Sequence, residues 1–349
     1  MMRSKKTIAV PPGATIREQL EMRGMRQKEF ATRLGLSEKH VSRLINGQVE
    51  LTKDVSIRLE SVLGVPASYW NNLESIFREK LARVEDENQL DVDAEIAKLF
   101  PYPKIAKLGW VPKTSNAEEK ALNLRRFFEV SKLDILEDLK TPGIACRKLG
   151  ASGNVDYSLA VWAQKARIEA REYDLSPINL SGLKSVLPRI REMTIMDPED
   201  FCGELIKMLA KYGIAIVFLP HIGGSFLHGA TFYEGKNIVM GLTARGKDAD
   251  RFWFSLFHEI NHILSGHINN PSGTSDSDEE ESDIFAKNIL IPSDQYNDYI
   301  ERECFSKKCI IEFANVLGVA PCIVLGRLQK ENYVPYNRYH DLKIQYSIL

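Results

Sequence analysis

Between residues 15 and 84 the chain is cut into helix-sized pieces, each with its own start or stop signal. That spacing limits what it can fold into. "TIREQLEMRG" (15–24) and "RQKEFATRLG" (26–35) both end in glycine. "SEKHVSRLING" (37–47) opens on Ser37, a natural N-cap, and closes on Asn46-Gly47. "TKDVSIRLESVLG" (52–64) opens on a threonine cap and sets Val55, Leu59, Val62 and Leu63 at helical spacing. "PASYWNNLESIFREKLARV" (66–84) starts with proline, which suits a first helical turn. Helices this short are marginal alone in water. The pattern therefore predicts five helices packed into one compact α module.

The remaining length calls for more than that module. A chain of 349 residues, with 44% apolar and 27% charged residues, reads as a soluble globular protein of two or three domains. Its longest apolar run, "IAIVFLP" (214–220), is too short to span a bilayer, so no membrane partner is expected. "MMRSKK" at the N-terminus has no apolar stretch behind it, so no secretory signal is expected. The five cysteines form no CxxC pair and are odd in number, which predicts reduced thiols and a cytoplasmic setting. The near-neutral total hides an asymmetry. Residues 1–83 carry 15 Lys and Arg against 9 Asp and Glu, a surplus of six positive charges, while the rest carries a surplus of seven negative ones. A basic head on an acidic body fits a nucleic-acid partner for the head.

Beyond the head, the acidic stretch "EDENQLDVD" (85–93) reads as a bridge, and 94–195 reads as mostly helical with no assignable chemistry. "SGNVD" (152–156) reads as a loop. From Asp197 the signals sharpen. A capped helix (197–213) leads into a buried strand (214–220). A hairpin (228–242) turns at Glu234-Gly235, a long helix spans 248–267, a loop covers 269–280, and a helix over 281–292 is stopped by Pro292. No internal repeat is apparent. The fold class expected is multi-domain: an all-α head (10–83), a helical connecting region (84–195) and an α+β domain with a small sheet (196–335), which the motifs below make a helix-turn-helix head and a zincin-like domain.

Two segments carry chemistry. In "FWFSLFHEINHILSGH" (252–267), His258 and His262 lie four apart and so share one helix face. Two imidazoles on one face can hold zinc, and Glu259 beside them can take a proton from a metal-bound water. This is the HExxH mechanism of metallopeptidases. His267 comes one residue too early for the extended HExxHxxGxxH pattern, so the third ligand is expected from the acidic run that follows. Glu281, leading the next helix, is the first choice, with Glu279, Glu280 and Asp283 as rivals. In "RQKEFATRLGLSEKHVSRLINGQ" (26–48), Phe30, Ala31 and Leu34 face the core from one helix, and Val41, Leu44 and Ile45 from the next. Ser37, Lys39, His40, Ser42 and Arg43 are left on the outer face of the second helix, where a helix-turn-helix reads the major groove, and Gln27 can reach phosphate.

Both segments resemble known families. "RFWFSLFHEINHILSGH" followed by "EESDIFAKNILIP" is similar to the ImmA/IrrE metallopeptidases, whose pattern is HExxH, a loop, then Glu-Ala-(Asn/Asp)-x-Phe-Ala and a Leu-hydrophobic-Pro end. Glu281, Asp283, Phe285, Ala286 and Pro292 fall on that pattern, and Ser282 replaces its alanine. "HGATF" (228–232), "RGKDADRFWF" (245–254) and "FANVLGVAPCIVLGRLQ" (313–329) extend the likeness over about 195–335. The resemblance implies a zinc cofactor with Glu281 as third ligand, and cleavage of a DNA-binding repressor. The head resembles the XRE/Cro-type helix-turn-helix. Its extension "NGQVELTKDVSIRLESVLGVPASYWNNLE" (46–74), with Trp70 and Asn72, resembles HigA-type antitoxins. That resemblance implies a homodimeric repressor that binds an operator and often neutralises a neighbouring toxin. The combined expectation is a DNA-binding transcriptional regulator carrying a zinc endopeptidase that cuts a repressor, a partner or itself. The alternative is a non-catalytic antitoxin whose zinc domain senses or scaffolds.

Overall fold

The computed structural model describes residues 2–138, 157–222, 229–243, 245–270 and 273–347. Cys146, the expected loop at 152–156 and His228 lie outside the described residues. The chain forms two compact units. One comprises the residues up to Ala97 with Thr114–Arg125 and Ser131–Leu133; the other comprises Lys98–Lys113, Arg126–Val130 and everything from Asp134.

The first unit opens with a short antiparallel hairpin, β1 (Met2–Arg3) and β2 (Ile8–Ala9). Helices α1 (Gly13–Met22), α2 (Gln27–Leu34), α3 (Glu38–Ile45), α4 (Lys53–Leu63) and α5 (Ala67–Ile96) follow. The expected caps form: Ser37 Oγ accepts from the His40 amide and Thr52 Oγ1 from the Val55 amide, while Gly35 and Gly64 close their helices in the left-handed conformation. Ile16, Phe30, Ala31, Val41, Leu59 and Trp70 meet in one core, and the Trp70 indole donates to the Val65 carbonyl at 3.1 Å.

The bridge expected at 85–93 is helix instead. α5 runs through it for 30 residues, and the boundary expected at residue 84 falls inside the helix. Val84, Leu90 and Asp93 continue the buried stripe begun by Trp70 and Phe77. The acids that look like a solvated linker are used internally. Asp93, fully buried, accepts from Arg125 Nε at 2.5 Å and from the Leu133 amide at 3.0 Å. Asp86 holds the other end of Arg125 at 2.9 Å, Glu87 accepts from Ser4 and Thr7, and Asp91 pairs with Lys5. Charge pattern alone could not separate this network, buried at Asp93 and exposed at Asp86 and Asp91, from a linker.

In the second unit α6 (Tyr102–Lys107) comes first. α7 (Ala117–Phe128) begins among the residues of the first unit and ends among those of the second. Then come α8 (Ile135–Asp138), α9 (Tyr157–Ala170), α10 (Leu180–Glu192) and α11 (Pro198–Ala210). A three-stranded sheet of order β3–β5–β4 follows, from β3 (Ile214–Leu219), β4 (Gly229–Glu234) and β5 (Asn237–Thr243). β3 runs parallel to β5, and β4 pairs antiparallel with β5 as the expected hairpin. β6 (Arg245–Asp248) leads into α12 (Ala249–Leu264). Next come α13 (Asp276–Leu290), α14 (Ser293–Glu301), α15 (Lys307–Leu317) and α16 (Pro321–Lys330), and β7 (Gln345–Ser347) returns to pair with β6. α12 is the central core helix. Phe252, Trp253, Leu256, Phe257, Ile260 and Ile263 are all buried, and the Trp253 indole donates to the Tyr346 hydroxyl.

One further expectation is corrected. Cys304 and Cys309 are joined in a disulfide, so these two are not free thiols; Cys202 and Cys322 are free. A short motif of the head also recurs near the other end of the chain. Glu29-Phe30-Ala31-x-x-Leu34-Gly35 recurs as Glu312-Phe313-Ala314-x-x-Leu317-Gly318, with Val41 and Val324 at the same offset. Both copies turn alike: the residue after the glycine donates its amide to the alanine carbonyl, Leu36 to Ala31 at 3.0 Å and Val319 to Ala314 at 3.1 Å. α15 and α16 meet at 117°, a helix-turn-helix angle. In this second copy the reader position is core. α16 buries Cys322, Ile323, Val324, Leu325 and Leu328, so it has no face to offer DNA.

Candidate metal centre and DNA-reading helix

The candidate metal centre is built from α12 and α13. His258 and His262 sit one turn apart on α12, with Nε2 atoms 2.9 Å from each other. The carboxylate facing them belongs to Glu279. One of its oxygens lies 3.4 Å from His258 Nε2 and the other 3.5 Å from His262 Nε2. Tetrahedral ligands at 2.0–2.1 Å from zinc are separated by about 3.3 Å, so the two carboxylate approaches fit such an ion. The imidazole pair is tighter by a few tenths of an ångström. His258, His262 and Glu279 form the group of metal-ligand type found among the described residues.

Glu281, the expected third ligand, is not at the centre. Its side chain is 58% exposed against 12% for Glu279, and it accepts from Ser265 Oγ at 2.6 Å. The cause is which side of α13 packs inward: Ser282, Ala286 and Leu290 are its buried residues. Ser275 and Asp278 form a capping box, and acids in the first turn suit the helix N-terminus. The helix therefore begins at Asp276, within the stretch expected to be loop. At 3.6 residues per turn, Glu279, Ser282, Asp283 and Ala286 share a face, while Glu281 turns away from it. The Ser-x-x-Asp signal at 275–278 was available in the sequence and marks this start. The far end of α13 is held as well: Arg191 Nε donates to the Leu290 carbonyl at 3.1 Å, and Arg327 Nη1 to the Ile291 carbonyl at 3.0 Å.

Polar groups behind each ligand fix its direction. Asp283 lies 2.9 Å from His258 Nδ1, which turns Nε2 toward the centre. Thr274 donates to Glu279 at 2.6 Å. His262 is 1% exposed, and its Nδ1 faces His267 Nδ1 at 3.0 Å and Ser282 Oγ at 3.3 Å. Glu259 is buried beside the strand β4, where its Oε2 accepts from Thr231 Oγ1 at 2.6 Å. Gly229 makes room for it, since a Cβ there would come within 2.7 Å of Glu259 Oε1.

The electrostatics of the cluster follow from burial and from its charged neighbours. Burial disfavours a charged His258, but hydrogen bonds to Asp283 and Glu279 and the nearby Glu259 charge outweigh it and raise its pKa to about 10. Burial and the His258 charge push His262 down to about 4. Burial alone would raise Glu279, yet bonds from His258 and Thr274 and the two imidazoles draw it to about 2. The raised His258 value means its contribution to the metal-free fold is complete below pH 6.5 and is lost as pH rises through about 10.

On the first unit the expected DNA contacts fall out unevenly. Gln27, Lys39 and Arg43 are exposed. Ser37 is exposed, but its hydroxyl caps α3 by accepting from the His40 amide at 3.2 Å. Ser42 is half-buried. His40 is half-buried too, and its Nε2 is sealed from solvent without a hydrogen-bond partner. His40 therefore turns toward the protein rather than outward, a correction to the helical-wheel reading. α3 is only eight residues long, and its third residue, His40, directly precedes the buried stripe of Val41, Leu44 and Ile45.

Comparison with known proteins bears on this unit. A helix-turn-helix family model, HTH_3, matches residues 16–70. Over 81 residues the chain is 31% identical to the uncharacterized HTH-type transcriptional regulator YddM of Escherichia coli K12, covering 23% of this chain and 82% of that protein. Among solved structures, an addiction module antidote protein of the HigA family from Coxiella burnetii is 24% identical; the match covers 24% of this chain and 91% of that one, with TM-score 0.22. A protein assigned as the antidote of a plasmid maintenance system in Nostoc punctiforme is 29% identical, with 24% and 90% covered and TM-score 0.23. Among the described residues no single helix is long and apolar enough to cross a membrane. Through its N-terminal unit the chain belongs to the helix-turn-helix family of XRE type.

Proposed function

We propose that the chain is a DNA-binding transcriptional regulator whose second unit is a zinc-dependent endopeptidase acting on a repressor, a partner protein or the chain itself. The observation that carries the enzymatic half is the convergence of His258 Nε2, His262 Nε2 and the Glu279 carboxylate within 3.5 Å, with the buried Glu259 next in sequence to the first ligand. Two imidazoles and one carboxylate leave a fourth position open for water or substrate, the ligand count of catalytic rather than structural zinc sites. The ion, when bound, supplies a low-pKa water and polarises the scissile carbonyl. Glu259 takes the proton from the attacking water on its carboxylate and passes it to the departing amide nitrogen. Thr231 holds one oxygen of that carboxylate in place, and Asp283 keeps His258 facing the centre.

The regulatory half rests on α3, whose Lys39 and Arg43 stand in solvent on a helix anchored by Val41, Leu44 and Ile45. The chain is proposed to act there as a homodimer on a two-part operator. Arg43→Ala is expected to weaken binding to duplexes selected from random-sequence DNA by about 1–3 kcal/mol and relax one base position, while Lys39→Ala lowers affinity evenly and reduces the salt slope by about one. Metal content should not change in either variant. Binding by both that matches wild type would remove α3 as the reader.

A further inference from the structure

His267 falls one residue short of the extended ligand pattern, and the proposed mechanism leaves it without a role. Gly266, in the left-handed conformation at φ +75°, turns the chain sharply after α12 and brings His267 back beside the last turn of that helix. There its ring is 10% exposed and points Nδ1 at His262 Nδ1, 3.0 Å away. Its other nitrogen, Nε2, faces Asp278 at 3.6 Å and Glu281 at 3.7 Å. Two nitrogens in contact can share only one hydrogen, so the direction of that bond is decided by what lies on the far side of each ring. Carboxylates beside His267 Nε2 favour the hydrogen there and leave a lone pair at His267 Nδ1. That lone pair accepts from His262 Nδ1, and His262 Nε2 is then bare toward His258 and Glu279.

We infer that His267 is the positioning residue for His262, fixing the tautomer that presents the Nε2 lone pair to a metal ion. The same arrangement assigns Glu281 a place: it flanks His267, one ring removed from the centre. This inference rests on the metal-centre reading and deepens it. Asp283 serves His258 in the corresponding way, so each imidazole of the pair has its own orienting partner. Ser282 Oγ, 3.3 Å from His262 Nδ1, is the rival partner. It already accepts from Asn261 Nδ2 at 3.1 Å and is the more distant of the two.

The test is metal binding to the full-length protein, measured by zinc competition titration and by the visible spectrum with cobalt(II). His267→Leu removes the acceptor, and His267→Asn restores one near the position of Nδ1. The expected result is an affinity about 10–100-fold lower for the leucine variant. The asparagine variant should recover most of it, with an unaltered cobalt band pattern in both. Unchanged affinity in His267→Leu overturns the inference and leaves the metal centre standing. A loss in both variants with a changed cobalt spectrum also overturns it, since His267 would then be a ligand. A loss in Ser282→Ala as large as that in His267→Leu gives the role to Ser282. Wild-type protein that takes up neither ion ends the metal-centre reading itself, a result distinct from the other three.

Discussion

Glu259→Gln is expected to lose peptide cleavage by a factor of about 10²–10⁴, the usual share of a general base, while keeping its metal. Glutamine has nearly the same shape, so it fits beside Gly229 and can still accept from Thr231, yet its amide cannot take a proton from water. The measurement is cleavage of the co-expressed or purified target alongside metal content. If metal stays and cleavage falls, Glu259 is the base. If metal is lost too, Glu259 is a structural member of the centre. If gene regulation is unaffected by the change, regulation does not pass through peptide cleavage, which favours the antitoxin-like repressor set out as the alternative.

The second large effect separates two carboxylates that sit two residues apart. Glu279→Ala should weaken zinc binding by more than about 100-fold, beyond the range of residues that only orient ligands. Glu281→Ala should cost far less. Glu279 is buried against both imidazoles, whereas Glu281 is exposed on Ser265 and reaches the centre only through His267. Competition titration with a zinc chelator reads both. Equal losses, or a larger loss for Glu281→Ala, would mean that α13 turns a different face to α12 when metal is present.

The contrast shows how far the residues alone could be read. The i and i+4 spacing of His258 and His262 survives any packing, so the imidazole pair was legible. The caps at Ser37 and Thr52 and the left-handed Gly35 and Gly64 act within one turn of chain, and they gave the head its helices. Which carboxylate faces the imidazoles depends on the side of α13 that packs inward: Ser282, Ala286 and Leu290 do, and this brings Glu279 rather than Glu281 to the pair. The same weakness affected 85–93, where the acids were assigned to solvent because their partners, Arg125, Lys5, Ser4 and Thr7, are distant in sequence. His40 failed for a subtler reason: a helical wheel separates faces, but a side chain at the edge can fold back under them.

The most direct test is a calorimetric titration of zinc into metal-free wild-type protein, run at neutral pH in two buffers of different protonation enthalpy. The account predicts one ion per chain and release of about one proton, because His258 is held charged by Asp283 and Glu279 up to a pKa of about 10 and must give up that proton to bind. Affinity should then rise about tenfold per pH unit on approaching that value. No binding, or binding of more than one ion that survives replacement of His258 and His262, would contradict the metal centre and leave the chain a helix-turn-helix regulator without its proposed chemistry.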